Sequence, residues 1–376
     1  MPDPGTDMET LPLSAIILSA GLSTRLGEFK PLLPLGKERI LERVIALYRS
    51  AGIQDIRVVA GHRVEEVTAL ARCCGAKPVF NPDFAQGMFS SVVAGVSDLA
   101  KGCSGFFIHP VDIPLVRRQT LIDLQNAFKQ GNADIYYPTF LDVRGHPPLI
   151  SGNYANDLKM GTGQGGLREF LNGYEAQAMN VPVVDAFILK DIDTPEDYAW
   201  ARGCMDHYDI PSEAECRALM IRQAVPQHII DHCLAVADLT MRMATALNAV
   251  GCRLDINRAV SAAWVHDLAR GCPRHAAEGA RILREMGFSR IADIVEVHMD
   301  FQVDQGSPIT EAEMMFLADK WIEEDSRIGM KARFEAKLRK YGAEPDVCRE
   351  ILRRWNNALE IQRRIETRLG LAIAEL

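Results

Sequence analysis

The chain has 376 residues, with 42 lysines and arginines against 50 aspartates and glutamates, a formal charge of −8 at neutral pH. A domain takes on the order of 100–200 residues, so two domains are the default and three would fit. Apolar content of 48% with 24% charged residues excludes wholesale disorder, and the acidic balance excludes a generally basic nucleic-acid coat.

The first half alternates strand and helix signals. Residues 14–19 (S-A-I-I-L-S) form a short apolar run that stops at a glycine-containing loop. Residues 40–50 have helical spacing, 55–60 read as a strand and 64–74 as a helix. A third short strand is predicted over 77–80, a helix over 90–100 and a buried strand over 105–109. Apolar runs separated by helical patterns predict βαβ units and a mostly parallel sheet covered on both faces. The loops after its strands then share one edge, where such folds bind ligands. Residues 136–150 interrupt this rhythm with a β-ribbon carrying R-G-H-P-P, and 178–190 return to a strand pattern. In D-I-D-T-P-E-D (191–197), Thr194 suits a helix N-cap followed by Pro195.

After about Gly203 the texture becomes helical, placing a boundary between 202 and 211. Ser212 and Glu215 have capping-box spacing. Helices are predicted over 227–249, 255–269, 275–286, 289–298, 311–324 and much of 346–371. The expected domains are 13–203, 212–330 and a C-terminal helical extension over 331–376. That extension is amphipathic and rich in arginine and glutamate, with nothing in it that points to chemistry. The nine cysteines form no C-x-x-C pair, so reduced thiols and a cytoplasmic setting are expected. The first residues lack the basic region of a signal peptide. No apolar run approaches the roughly 20 residues that span a bilayer.

The first chemical constellation is L-S-A-G-L-S-T-R-L-G-E-F-K (18–30). A strand feeds a loop with Gly21 and Gly27, small Ala20 and Ser23, and the cations Arg25 and Lys30. Glycines let backbone N–H groups approach a phosphate, and the cations would neutralise a leaving pyrophosphate. The same residues would also serve an ordinary βα turn. The loop is neither a Walker loop nor G-x-G-x-x-G. Asp112, in H-P-V-D-I-P at the end of a buried strand, suits Mg²⁺ beside a phosphate loop, and equally suits a turn. Asp191 and Asp193, read as ending another strand, offer a second metal carboxylate or a helix N-cap region.

These strings, with G-M-F-S-S (87–91), D-I-P (112–114), G-H-P (145–147) and D-I-D-T-P-E-D, resemble the MobA-like nucleotidyltransferases over about 13–203. The branch most resembled contains molybdenum cofactor cytidylyltransferase. The resemblance implies a Rossmann-like α/β domain that binds a nucleoside triphosphate and Mg²⁺. Ala20, Gly21, Ser23, Arg25, Lys30 and Ser91 would hold the nucleotide, with Arg25, Lys30 and Asp112 catalytic. Asp112 with Asp191 or Asp193 would hold the metal. Gly145, His146 and Arg168 would face a phosphorylated acceptor, molybdopterin being the implied one, whose phosphate attacks the α-phosphorus. The A-G-L-S form of the loop favours CTP over GTP. One departure is G-Q-G-G-L-R (163–168): Gln164 stands where the branch has an acid, and Leu167 where it has a small residue.

The second constellation is His228, His232, His266-Asp267, His275, His298 and Asp319. They fall on separate predicted helices or their starts, so their side chains could meet inside a bundle. Imidazole with carboxylate suits Mn, Fe, Ni or Zn. Adjacent His266 and Asp267, about 100° apart on a helix, would let Asp267 bridge two ions or bind one beside His266. The order H…H-D…H…H…D, with A-W-V-H-D-L-A-R-G (263–271), H-A-A-E-G-A (275–280) and A-D-K (318–320), resembles the HD-domain metal-dependent phosphohydrolases. The resemblance implies an all-α bundle with a site from His232, His266, Asp267 and Asp319, Asp267 being catalytic. His275 and His298 would complete a second metal site. His228, one turn from His232, stays outside this set as a core or supporting residue. Arg270 would neutralise substrate phosphate, or simply end a helix.

The expected function is therefore bifunctional: Mg²⁺-dependent nucleotidyl transfer, and phosphohydrolysis with one or two divalent transition metals. The alternative is a maturation factor that binds cofactor for a molybdenum enzyme without turnover, with a regulatory HD domain. Neither nucleic acid nor membrane is expected as a partner.

Overall fold

The computed structural model describes residues 11–161, 163–304 and 306–376, and the chain divides after His207 into two compact units. The first runs β1 (Leu13–Ser19), β2 (Pro34–Leu35), β3 (Glu38–Arg39), α1 (Ile40–Ser50), β4 (Asp55–Ala60), α2 (Val64–Cys73), β5 (Lys77–Phe80), α3 (Met88–Ser97), β6 (Gly105–Pro110), α4 (Arg118–Gln130), β7 (Ile135–Phe140), β8 (Val143–Arg144), β9 (Leu149–Ser151), α5 (Ala155–Met160), α6 (Gly166–Asn172), β10 (Ala178–Pro182) and α7 (Pro195–Met205).

Its main sheet has the order β10-β7-β9-β6-β1-β4-β5, with β8 paired to β7. β1 lies parallel to β4 and β6, β4 to β5, and β7 to β10. Only β9 of this path runs antiparallel, between β6 and β7, and it comes from the ribbon that broke the sequence rhythm. Strands β1, β4 and β6 are buried almost throughout. This is why they read as continuous apolar runs rather than alternations. β4 and β5 step to one side of β1 and β6 lies on the other, so the C-terminal ends of β1 and β6 flank a topological switch point. Helix α3 seats on this centre through Gly95, where a Cβ would lie 2.4 Å from Ile16 Cγ2 and 3.0 Å from Val59 Cγ2. Ile16, Val59, Phe89, Val92, Phe106 and Ile150 form one core cluster there.

The strand pattern over 178–190 is corrected by the structure. β10 stops at Pro182, and Ala186–Leu189 form a 3₁₀ turn. The buried Asp185 carboxylate ends the strand by accepting from the N–H groups of Arg117 (2.7 Å) and Phe187 (3.0 Å) and from Thr120 Oγ1 (2.7 Å). Asp191 and Asp193 therefore follow a turn rather than a strand. They run alongside Asp112, whose carbonyl accepts from the N–H of Ile192 at 2.8 Å.

The second unit contains α8 (Glu213–Arg222), α9 (Gln227–Ala249), α10 (Ile256–Val265), α11 (His275–Glu285), α12 (Ser289–Val297), α13 (Glu311–Trp321), β11 (Ile322–Glu323), β12 (Ser326–Arg327), α14 (Met330–Tyr341) and α15 (Pro345–Leu369). Capping boxes at Ser212/Glu215 and Thr310/Glu313 start α8 and α13. α9 packs on α10 and α13, α11 on α12, and α15 on α13 and α14.

Two predicted helices end early. The one expected over 255–269 stops at Val265. There, N–H bonds from Leu268 to Val265 and from Arg270 to Asp267 tighten the chain into turns that lead to Gly271 at φ 114°. His266 and Asp267 thus sit on a turn, not on a helix face. The one expected over 311–324 stops at Trp321, because β11 and β12 pair antiparallel around Glu324 at φ 52°.

Candidate functional site

In the first unit, the loop after β1 walls a cavity of about 390 Å³ at the switch point. Ala20, Gly21, Ser23 and Lys30 line it with Ser91 from α3 and Asp112 after β6. Among the described residues, the backbone N–H groups of Gly21, Leu22 and Ser23 donate to no protein acceptor, so three amides remain for an anion. Ser23 takes φ 54° and its Oγ accepts from the N–H of Lys30 at 3.2 Å, which fixes the loop's return.

Lys30 is 7% exposed, and its ammonium joins the acids from two other segments. Its Nζ lies 2.5 Å from Asp193 Oδ1 and 3.5 Å from Asp112 Oδ2. Arg25, exposed at the rim, reaches Asp193 Oδ2 at 2.7 Å. Burial raises the Asp112 carboxyl, with Lys30 opposing and Asp193 and Asp191 adding to the rise. Two oxygen donors of like charge around a buried cation are a fit for Mg²⁺, which takes few carboxylates. The structure joins Asp193 to Asp112 through Lys30; Asp191 is exposed and acts on Asp112 only through its charge.

The turn carrying Asp112 is braced from below. His109 is fully buried, with Nδ1 2.9 Å from the Tyr48 hydroxyl and Nε2 2.9 Å from the Ile113 carbonyl. Sequence reading passed over this brace, although the H-P-V-D-I-P string contains its histidine. Ser91 Oγ accepts from Asn81 Nδ2 at 3.0 Å.

Gly145 approaches Ile188 so closely that a Cβ would lie 2.5 Å from its carbonyl oxygen. The N–H of His146 donates to the same carbonyl at 2.9 Å. The His146–Pro147 peptide is cis. Burial lowers the His146 imidazole, opposed by Asp191, and its Nδ1 is buried with no partner. Arg168 is exposed on α6. The glycines before it pack on α3: a Cβ on Gly161 would lie 2.8 Å from the Phe89 ring, and one on Gly163 3.2 Å. Gln164, which follows Gly163, is exposed.

In the second unit, five side chains gather around Asp267: its neighbour His266, and His232, His275, His298 and Asp319 from other segments. Asp267 Oδ2 lies 3.4 Å from His266 Nε2 and 4.0 Å from His232 Nε2, and its Oδ1 lies 3.5 Å from His275 Nε2 and 3.7 Å from His298 Nε2. Asp319 Oδ1 adjoins the first set, 3.2 Å from His232 Nε2 and 3.9 Å from His266 Nε2. Two groups able to hold a metal result: His232, His266 and Asp267, and Asp267, His275 and His298.

The imidazoles are oriented for ligation. His232 Nδ1 lies 2.7 Å from the Glu324 carbonyl, His266 Nδ1 2.8 Å from that of Ala263, and His298 Nδ1 2.6 Å from that of Val295. A carbonyl can only accept, so each Nδ1 carries the proton and each Nε2 presents a lone pair inward. His266 Nε2, His298 Nε2 and Asp267 Oδ1 are buried with no hydrogen-bond partner. Such orphans are costly unless an ion satisfies them. Burial pushes the His266 imidazole down to about 4, which keeps the ligating form. Burial would raise Asp267, but His266, His298 and Arg270 outweigh it and hold the carboxyl below its usual range.

Sequence reading missed the contribution of α14. Arg333 donates to the Ile322 carbonyl and lies 3.4 Å from Asp319 Oδ1, and Lys320 pairs with Asp319 Oδ2. His228 is exposed at the start of α9 and is not a core residue.

The fold and the two sites define a nucleotidyltransferase-type α/β domain joined to a histidine- and aspartate-rich helical domain. Residues 15–179 match the MobA-like NTP transferase domain and residues 229–322 the HD domain, so the chain carries one of each. It is 29% identical to the molybdenum cofactor cytidylyltransferase of Escherichia coli (strain K12), over 50% of this chain and 95% of that protein. It is 26% identical to the nicotine blue oxidoreductase of Paenarthrobacter nicotinovorans, over 49% and 93%. A nucleotidyl transferase from Methanothermobacter covers 52% of this chain and 97% of its own, at 23% identity and a TM-score of 0.45. A relative named as an oxidoreductase means that likeness alone does not assign the chemistry. No helix among the described residues is long and apolar enough to cross a membrane.

Proposed function

We propose that the first unit transfers a nucleotidyl group from a nucleoside triphosphate, CTP in preference to GTP, to a phosphorylated acceptor, with molybdopterin the leading candidate. The observation that carries this reading is the Lys30 ammonium held between Asp112 and Asp193 at the floor of the loop cavity. The loop amides and Arg25 bind the phosphates. Lys30 steadies charge as the acceptor phosphate attacks the α-phosphorus and pyrophosphate leaves. Asp112 and Asp193 would hold Mg²⁺, which supplies charge neutralisation when bound. His146 and Arg168 face the acceptor. The relatives' names support a molybdenum cofactor acceptor.

The second unit is a metal-dependent phosphohydrolase in this reading. His232, His266, Asp267 and Asp319 would hold one divalent transition metal, and Asp267, His275 and His298 a second. When bound there, such ions would supply Lewis acidity for the attack of water on a phosphate. Arg270 and Lys320 carry substrate charge.

Mass-spectrometric screening of nucleotide consumption with phosphorylated acceptors tests the transferase. Asp112→Ala is expected to abolish Mg²⁺-dependent pyrophosphate release; unchanged release would remove Asp112 from the metal site. Calorimetry with CTP and GTP checks base choice, and clear GTP preference would reverse it. A second reading, a cofactor-binding maturation factor without turnover, is favoured by Gln164 in place of an acid. It predicts acceptor binding with no pyrophosphate release from the wild type.

A further inference from the structure

The turn that carries Asp112 is tied down at every residue from Val111 to Pro114. The N–H of Val111 donates to the Leu18 carbonyl at 3.1 Å and that of Ile113 to the Pro110 carbonyl at 3.2 Å, while the Asp112 carbonyl accepts from Ile192 at 2.8 Å. Helix α1 supplies the remaining two ties. Arg43 Nε donates directly to the Pro114 carbonyl at 3.0 Å. Tyr48 acts through His109, whose ring lies 2.9 Å from the Tyr48 hydroxyl on one side and 2.9 Å from the Ile113 carbonyl on the other. Chemistry fixes the direction of these bonds. A carbonyl can only accept, so Nε2 carries the imidazole proton; Nδ1 then offers a lone pair, to which the Tyr48 hydroxyl donates. Burial pushes the ring down to about 4, which keeps it singly protonated at neutral pH. Both side chains are fully buried and neither lines the nucleotide cavity, whereas Asp112 does. An apolar pair would fill the same space without desolvating two polar groups, so packing alone does not call for a histidine and a tyrosine here.

We propose that His109 and Tyr48 are positioning residues of the first site: through the Ile113 carbonyl they set where the Asp112 carboxylate stands for a divalent cation. This rests on the nucleotidyl-transfer reading and adds two residues to its metal site. The backbone of Asp112 is bonded on both flanks, so its carboxylate goes where the turn goes. Releasing the Ile113 carbonyl frees the flank that follows Asp112. Losing a partner that orients a metal ligand costs about 10–100-fold in affinity. His109 holds the residue after the ligand rather than the ligand itself, so the lower end of that range applies.

Calorimetry on the full-length chain tests this, using whichever of CTP and GTP binds better, titrated with Mn²⁺ and again with a chelator. The metal-dependent gain in affinity that Asp112→Ala abolishes is the signal of the first site. His109→Leu should cut that gain by about tenfold and leave metal-free binding, carried by the loop amides, unchanged. His109→Gln, whose amide can donate to Ile113 and accept from Tyr48, should restore most of the gain. Tyr48→Phe, which keeps the ring and removes only the donor, should lose part of it, and it decides the matter if His109→Leu does not fold. The full gain in folded His109→Leu, or failing that in Tyr48→Phe, overturns the proposal. Equal losses with and without metal, the mark of a purely structural role, overturn it too, as does a His109→Gln no better than the leucine variant. A gain that survives Asp112→Ala removes Asp112 from the metal site and the proposal with it. Wild-type protein with no metal-dependent gain for either nucleotide overturns the nucleotidyl-transfer reading beneath.

Discussion

Asp267 is the residue on which the second site turns, since its two oxygens face different histidine pairs. Asp267→Ala removes a charge and a ligand from both groups at once. Metal content of the second unit should fall by more than about 100-fold in affinity, beyond what loss of a supporting hydrogen bond costs, and elemental analysis reads this directly. His228→Gln, at an exposed position, should leave metal content close to wild type. In the first unit, His109 makes a prediction about pH. Burial holds its imidazole down to about 4, below the value near 6.5 of an unfolded chain. Above pH 6.5 both states are neutral and nothing is lost. As pH falls from 6.5 towards 4 the unfolded chain binds a proton that the folded one refuses, so stability falls, by roughly 3 kcal/mol in the limit. Chemical denaturation at pH 7, 5.5 and 4.5 should therefore show a shallower acid loss for His109→Gln than for wild type.

Two short elements do more for the sites than their length indicates. The β11–β12 hairpin exists to bring the Glu324 carbonyl 2.7 Å from His232 Nδ1. Deleting Glu324 and Asp325 should lower metal affinity by about 10–100-fold, the usual cost of losing a histidine's outer partner. Glu324→Gly should keep the affinity, because glycine accepts φ 52° without strain. Helix α3 carries Ser91 to the nucleotide cavity, and its approach is set by Gly95. A Cβ there would lie 2.4 Å from Ile16. Gly95→Ala should destabilise the first unit by about 1–3 kcal/mol through overpacking, with a raised KM for the nucleotide as α3 moves off the sheet. Urea midpoints and initial rates would separate the two effects.

At the scale of the whole chain, each unit has its own core and its own site. A divalent metal that binds only the folded second unit should raise the unfolding temperature of that unit in proportion to the logarithm of metal concentration. Nucleotide with Mg²⁺ should do the same for the first. Calorimetry with Mn²⁺, a chelator, and CTP in turn should move one transition at a time; a chelator that moved neither would count against the metal centre. The same separation predicts that Asp112→Ala leaves metal loading of the second unit intact.

Local pattern was enough for the element types of most of the chain, because buried parallel strands and amphipathic helices write their environment into hydrophobic spacing. The two domain likenesses were also legible, since glycines in the loop after β1 and a His-Asp pair are set by chemistry that tolerates few residue types. Three things came only from the tertiary structure. Asp185 ended a strand that 178–190 reads as continuous, because its carboxylate found partners on α4, more than sixty residues away. His266 and Asp267 took a turn, not a helix, because carbonyls and glycine beyond the pair redirected the chain. Arg333, in a segment that looked like an ordinary charged helix, met Asp319 through the packing of α14 on α13. Each depends on which distant backbone or charge a side chain meets, and spacing along the chain does not encode that.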